Sequence, residues 1–96
     1  MRRAARTDGN HAAVIKRLRE YGCSVADTSR LGGGFPDIVV GWRKESFLFE
    51  IKDPAKPPSQ RKLTQDEEDF AKAWKGQYDV VETAEEALKI MQEATL

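Results

Sequence analysis

Two short apolar segments constrain the fold of this 96-residue chain more than any other feature. Residues 37–42 and residues 47–52 are rich in β-branched and aromatic side chains, a composition typical of buried strands. Only residues 43–46 lie between them, and so short a connection favours a β-hairpin. The first strand is predicted to be buried on both faces or nearly so. A tight turn between the two strands would place Val40 or Gly41 opposite Phe47 or Leu48.

An amphipathic helix is predicted before the hairpin. Apolar residues recur every three or four positions between residues 14 and 21 and form one face. Asp8 or Asn10 can cap the start of this helix, and Gly22 supplies its stop. Residues 23–28 favour a short strand after it. A glycine-rich segment then interrupts regular structure before the hairpin begins.

Loop and helix signals alternate again after the hairpin. Residues 53–62 contain three prolines and are predicted to form a stiff, irregular loop. Capping boxes of the form Thr-x-x-Glu begin at Thr64 and Thr83, and each opens a helix. A short strand at residues 78–81 lies between these helices. The predicted order, α-β-β-β-α-β-α, is that of a small α/β domain whose mixed sheet is flanked by helices.

The zero net charge of the chain hides an uneven distribution. Residues 1–63 contain 13 basic and 7 acidic residues, whereas residues 64–96 contain 3 and 9. A cluster of cations favours a surface that faces a polyanion, although solvated acidic helix faces would give the same counts. We expect residues 1–9 to form a flexible basic arm and residues 10–96 to form a single domain.

Composition also excludes several classes of protein. The single cysteine excludes a disulfide framework. The longest apolar runs are too short to span a membrane. No apolar segment follows the basic N-terminal residues, as it would in a secretory signal. We therefore expect a cytoplasmic protein with no membrane partner.

The hairpin is predicted to bring three charged side chains together. Side chains alternate along a strand, so Glu50 and Lys52 project to one face and Ile51 projects to the other. The register places Asp37 opposite this stretch, close enough for its carboxylate to meet that of Glu50. Two converging carboxylates repel each other unless a cation lies between them, and Mg²⁺ prefers oxygen ligands. An ion-paired surface on one face of the sheet is the alternative interpretation.

A metal ion between Asp37 and Glu50 would give this cluster a catalytic chemistry. Lys52 could orient or help deprotonate a metal-bound water, and it could stabilise the charge that develops on a phosphate. The backbone carbonyl of Ile51 could be a further ligand. Burying these charges among apolar neighbours without pairing them would cost several kcal/mol, which favours an ion at the site.

The same residues resemble the active-site signature of the PD-(D/E)XK nuclease superfamily, because Pro36-Asp37 is followed after twelve residues by Glu50-Ile51-Lys52. The glycine-rich residues 31–34 and the helix start at residues 63–64 make the chain most similar to VRR-NUC nucleases, in particular their short stand-alone phage and prophage forms. The likeness runs from about residue 7 to residue 92. It implies a restriction-endonuclease-like core and phosphodiester hydrolysis that depends on Mg²⁺ or Mn²⁺.

The resemblance also implies roles for individual residues. Asp37 and Glu50 would be metal ligands, and Lys52 would be the catalytic lysine. Relatives often place a glutamate from the first helix near the metal, but this chain has His11 there. His11 could replace the acid as a ligand or touch the phosphate, or it could simply pack against its neighbours.

A fourth active-site role is open. Relatives often carry a glutamine in the helix that follows the lysine-bearing strand, whereas Glu67 and Glu68 occupy the corresponding positions here. Trp42 and Trp74 could stack on bases, but their positions favour packing in the core or at an interface. An apolar dimer interface could involve Trp42 or the hairpin.

Basic residues and glycines flank the predicted site and are candidate contacts for nucleic acid. The glycines could let a nucleic-acid backbone approach closely, or they could serve only to provide positive φ angles. The candidates in the domain are Arg30, Gly33, Gly34, Lys56, Arg61 and Lys62. The candidates in the arm are Arg2, Arg3 and Arg6.

The sequence thus predicts a metal-dependent endonuclease that hydrolyses phosphodiester bonds in DNA. The resemblance leaves open a structure-selective activity on branched DNA such as Holliday junctions, a homodimer, and a location in the host-cell cytoplasm if the gene is carried by a phage. The alternative is a non-catalytic module on the same fold that binds nucleic acid or recruits other proteins to junctions. A small protein-interaction domain would bind no DNA at all.

Overall fold

The computed structural model of the chain describes residues 8–96. The predicted hairpin is its centre and consists of strands β2 (Ile38–Trp42) and β3 (Glu45–Ile51), which pair antiparallel. Val40 lies opposite Phe47, which confirms the predicted register. The turn residues Arg43 and Lys44 both have positive φ angles, of 50° and 67°, as a tight two-residue hairpin turn requires.

Two further strands complete a four-stranded mixed sheet. Strand β1 (Ser24–Asp27) pairs antiparallel with β2, and β4 (Tyr78–Val81) pairs parallel with β3, so the spatial order is β1-β2-β3-β4. A parallel neighbour needs a long crossover connection, which contains helix α2 (Gln65–Ala73). Helix α1 (His11–Glu20) precedes the sheet and helix α3 (Ala84–Ala94) follows it. The predicted element order and the small α/β class are confirmed.

The hydrophobic core lies between the sheet and the two terminal helices. Ile38 and Val40 of β2 are fully buried there, whereas the intervening Val39 is half-buried on the other face of the sheet. Alternation along the strand therefore gives the two faces of the sheet different degrees of burial. The other core residues include Val14, Leu18, Phe47, Phe49, Ile51, Val81, Ala84, Ala87 and Met91.

The two predicted capping boxes behave differently. At α2 the Thr64 hydroxyl accepts a hydrogen bond from the Glu67 N–H, and the Glu67 carboxylate accepts one from the Thr64 N–H, so this box is complete. At α3 the Thr83 hydroxyl accepts from the Glu86 N–H, but the Glu86 carboxylate accepts from the N–H of the residue before Thr83. The second box is therefore only half formed.

The predicted side-chain cap of α1 is wrong. Asn10 occupies the N-cap position, but its backbone is helical and its side chain does not bond to the helix. Its amide instead donates to the Lys52 carbonyl at 3.0 Å and to the Glu82 carbonyl at 2.9 Å. Asp8, the other candidate cap, pairs with Lys56. Asn10 thus ties the start of α1 to the ends of β3 and β4.

The loop prediction needs correction, and the prediction for Trp74 is narrowed to one of its two alternatives. The irregular loop predicted over residues 53–62 contains a 3₁₀ turn at Pro58–Gln60, because a proline at the first position has a suitable φ angle. Trp74 does not pack in the core, since its exposed fraction is 41%; it lies at the end of α2, where its ring stacks on that of Phe70, and the interface position also predicted for it stays a prediction. Trp42 is half-buried and does pack against the core.

The arm candidates Arg2, Arg3 and Arg6 lie outside the described residues. Within residues 8–96, the helices are too short and too polar for any of them to cross a membrane.

Candidate functional site

The start of β2 holds Asp37 opposite Glu50 of β3. Asp37 precedes Ile38, which pairs with Phe49, so the same register continues to Asp37 and Glu50. The Asp37 Oδ2 atom accepts a hydrogen bond of 2.8 Å from the Ile51 N–H, which anchors the carboxylate to the neighbouring strand. The juxtaposition expected from the hairpin is therefore present.

Glu50 and Lys52 lie on the face of the sheet opposite the main core, and both are buried. Their exposed fractions are 4% and 8%, values that charged side chains rarely reach unless they are paired. The Lys52 Nζ atom lies 3.5 Å from Glu50 Oε2 and 3.1 Å from Glu67 Oε1. Lys52 is thus shared between a carboxylate of its own strand and one from α2.

Gly34 accounts for the position of α2, and hence of Glu67, over the site. Its φ angle is +85°, and a Cβ atom at this position would collide with the backbone of Asp66 in the first turn of α2. Only glycine permits this approach between the loop and the helix. Gly33 also has a positive φ angle, but it is exposed and a Cβ atom there would meet open space. Gly34 therefore has a structural role, whereas Gly33 is free to approach a ligand.

The three carboxyl groups perturb one another's ionisation. The pKa of Glu50 is raised to about 9, first by burial and then by the charges of Asp37 and Glu67. Burial also raises the pKa of Asp37, against the stabilising hydrogen bond from the Ile51 N–H. At neutral pH and without a bound cation, Glu50 consequently retains its proton.

Glu67 and Lys52 form the charged pair of the site. Burial acts to raise the pKa of Glu67, but the hydrogen bonds from the Thr64 N–H and from Lys52 lower it overall. Burial acts to lower the pKa of Lys52, but the hydrogen bond and the negative charge of Glu67 raise it overall. Glu67 is therefore ionised and Lys52 is protonated at neutral pH.

The donor set of this site suits a hard divalent cation. Asp37 and Glu50 present carboxylate oxygens side by side, and the proton that Glu50 retains is what such a cation would replace. Within residues 8–96, three or more His, Cys, Asp or Glu side chains are nowhere grouped as a ready-made metal cage. Two carboxylates are nevertheless the number that Mg²⁺ typically takes from a protein. The carbonyl of Ile51 stays a predicted ligand.

His11 is on the inward face of α1 but contacts a different acid from those of the signature. Its exposed fraction is 7%, and its Nε2 atom lies 3.2 Å from Oδ2 of Asp27. Asp27 is held in turn by the N–H and the hydroxyl of Ser29, at 3.0 and 2.7 Å. The positive charge that His11 can carry acts against the burial that raises the pKa of Asp37.

Sequence reasoning missed Asp27 and Ser29. The available signal was the alternation along β1, which puts Asp27 on the same face as Val25 and hence toward α1. His11 and Asp27 also line an open cavity of about 560 Å³ beside α1, together with Lys16 and Arg19. This cavity is on the α1 side of the sheet, away from Glu67.

The candidate nucleic-acid contacts fall into two groups. Arg30 and Lys62 are exposed. Lys56 pairs with Asp8 at 2.7 Å, and Arg61 pairs with Glu82 at 3.1 Å. The second group would have to exchange these partners for a phosphate.

Of the two glutamates predicted at the start of α2, only Glu67 reaches the site. Its carboxylate contacts Lys52, whereas Glu68 is exposed.

Comparison of the chain with known protein families, with curated proteins and with solved structures found no match.

Proposed function

We propose that the chain is a metal-dependent DNA nuclease with a restriction-endonuclease-like core, similar to the VRR-NUC nucleases of the PD-(D/E)XK superfamily. The observation that carries the proposal is the pair of adjoining carboxyl groups, Asp37 and Glu50, with the buried Lys52 beside them. The order of elements supports it, because three antiparallel strands followed by a helix and a parallel strand fit the core that the resemblance implies.

The shortage of positive charge at the site supports a metal cofactor. The site holds three carboxyl groups and one ammonium group, which contacts Glu50 and Glu67, and the pKa of Glu50 rises to about 9 because burial and the other two acids disfavour its charge. A divalent cation removes this conflict by stabilising the ionised forms of Asp37 and Glu50. Mg²⁺ or Mn²⁺ bound there would supply a Lewis acid that activates water and stabilises charge on a phosphate.

The protein's own groups divide the remaining work. Asp37, anchored by the Ile51 N–H, and Glu50 would orient the cofactor. Lys52 would hold an attacking water, or donate to an oxygen of the scissile phosphate as negative charge develops on it. Because Lys52 is 8% exposed and held by two carboxylates, it is preorganised for this task.

DNA is the proposed substrate, in branched form if the activity is structure-selective. The exposed cations Arg30 and Lys62 are available to contact phosphates, and such contacts give affinity without sequence specificity. A single small domain offers little surface for recognition, so we propose that two copies act together. The exposed apolar side chains of Leu31 and Trp74 support such an association.

A cleavage assay tests the proposal. Purified protein is incubated with supercoiled, linear, flapped and four-way-junction DNA, each with Mg²⁺, with Mn²⁺ and with a chelator. We expect cleavage that needs the metal and that falls by at least about 100-fold in Asp37→Asn and in Lys52→Ala. Lys89→Ala, which removes an exposed lysine of α3, is the matched control and should cut like the wild type.

Two outcomes would contradict the proposal. Cleavage that persists in chelator and in Lys52→Ala would exclude the proposed site as its origin. Binding to junctions without cleavage under either metal would favour the non-catalytic recruitment module instead. Sedimentation of the protein with and without DNA measures whether two copies associate.

A further inference from the structure

We propose that Glu67 is a positioning residue that holds the Lys52 ammonium between itself and Glu50, so that Lys52 takes the place of a second cation and the site binds a single divalent ion. This inference rests on the proposed function. It assigns a role to an acidic residue at the start of α2 and predicts how many metal ions the site accepts.

The first support is the geometry around Glu50. The hairpin register puts Glu50 across from Asp37, and the Glu50 Oε2 atom lies 3.5 Å from the Lys52 Nζ atom. Two-metal sites place their ions about 3.5 to 4 Å apart. A second ion would need Glu50 and Glu67 as ligands, and the Lys52 ammonium group already contacts both of these carboxyl groups.

The second support is that Glu67 is itself held in place. Its Oε1 atom accepts a hydrogen bond from Lys52 at 3.1 Å and another from the Thr64 N–H at 2.9 Å. The Gly34 contact fixes the first turn of α2 against the preceding loop. An acceptor anchored in this way confines a lysine side chain that would otherwise be flexible.

The third support is the balance of charge. Once a bound cation has replaced the Glu50 proton, the three carboxylates carry three negative charges, and one ammonium group with one divalent ion neutralises them. A second divalent ion would leave two excess positive charges, and it would have to displace Lys52 from Glu50 and Glu67. Lys52 and Glu67 are both largely buried, so such a displacement would leave the buried ammonium group without a partner.

The number of bound Mn²⁺ ions tests the inference. Electron paramagnetic resonance of free Mn²⁺ during titration of the full chain measures this number directly. We expect one ion per chain in the wild type and in Glu67→Gln, because glutamine still accepts the Thr64 hydrogen bond. Lys52→Met should bind two ions, since the vacated position lies between Glu50 and Glu67. Lys52→Met combined with Glu67→Gln should return to one ion, a change that a purely capping role for Glu67 would not produce.

The outcomes separate this inference from the proposed function. Two ions in the wild type would overturn the inference and leave a metal-dependent nuclease intact. No bound ion in the wild type, together with no cleavage, would overturn both. If Lys52→Met does not fold, Lys52→Gln replaces it, alone and combined with Glu67→Gln. A single ion in the Lys52 variant would also overturn the inference. Glu68→Gln, one residue along α2 and exposed, is the control and should bind one ion.

Discussion

The buried carboxyl group of Glu50 should make the stability of the protein fall as the pH rises. Its pKa is raised from 4.5 to about 9, by burial first and then by the charges of Asp37 and Glu67. In the unfolded chain the same group titrates near its usual value. Between the two values the folded chain holds one more proton than the unfolded chain, so the free energy of unfolding decreases with increasing pH.

The size of this effect follows from the shift. One proton corresponds to about 1.4 kcal/mol per pH unit, so the wild type should lose about 3 kcal/mol of unfolding free energy between pH 6 and pH 8. Glu50→Gln resembles the protonated form and cannot ionise. The variant should therefore lose little stability over the same interval, and it should be more stable than the wild type at pH 8.

Urea denaturation in the presence of a chelator, followed by circular dichroism at pH 6, 7 and 8, measures the difference. Glu68→Gln is the matched control, because it removes an exposed glutamate of α2 and should keep the wild-type slope. Equal slopes for the wild type and Glu50→Gln would refute the reasoning, since Glu50 would then be ionised in the folded chain. Added Mg²⁺ should flatten the wild-type slope, because a bound cation replaces the proton.

Four other substitutions have defined expectations, and one of them is a control. Gly34→Ala should lower the unfolding free energy by about 1 to 3 kcal/mol and weaken cleavage, because the added methyl group meets α2. Gly33→Ala is the control and should lower the unfolding free energy less, because a methyl group there meets open space. Equal losses for the two variants in urea denaturation would contradict this expectation. Asn10→Ala should cost about 1 to 3 kcal/mol in the same assay, because two backbone carbonyls lose their donor. Lys62→Ala should weaken DNA binding uniformly across sequences and reduce its salt dependence by about one charge; unchanged salt dependence would exclude Lys62 as a phosphate contact.

The elements that sequence reasoning predicted correctly depend on neighbours in the chain. The register of the hairpin follows from a short turn and from alternation, so the meeting of Asp37 with Glu50 could be derived from the amino-acid sequence alone. The capping box of Thr64 and Glu67 is a local pattern in the same sense. Such features need only residues that lie close together in sequence.

The features that were missed depend on distant parts of the chain. Asn10 is a residue type that favours helix N-caps, but its amide donates instead to two backbone carbonyls that lie 42 and 72 residues away in the chain. The contact between Lys52 and Glu67 depends on where α2 lies over the sheet. That position depends on the close packing of Gly34 against the first turn of α2. A propensity or a spacing carries no information about these tertiary contacts.

The hydrogen bonds of Asn10 connect residues that are much farther apart in sequence than the hydrogen bonds within the site. The bonds from Ile51 to Asp37 and from Lys52 to Glu67 close loops of 14 and 15 residues, whereas the bond from Asn10 to Glu82 spans 72. Short loops close at lower entropic cost, so we expect the contacts of Asp37 and Glu67 to form before Asn10 bonds to Glu82. A divalent ion could then act on the folding nucleus as well as on the finished protein, and Mg²⁺ should accelerate refolding of the wild type but not of Asp37→Asn.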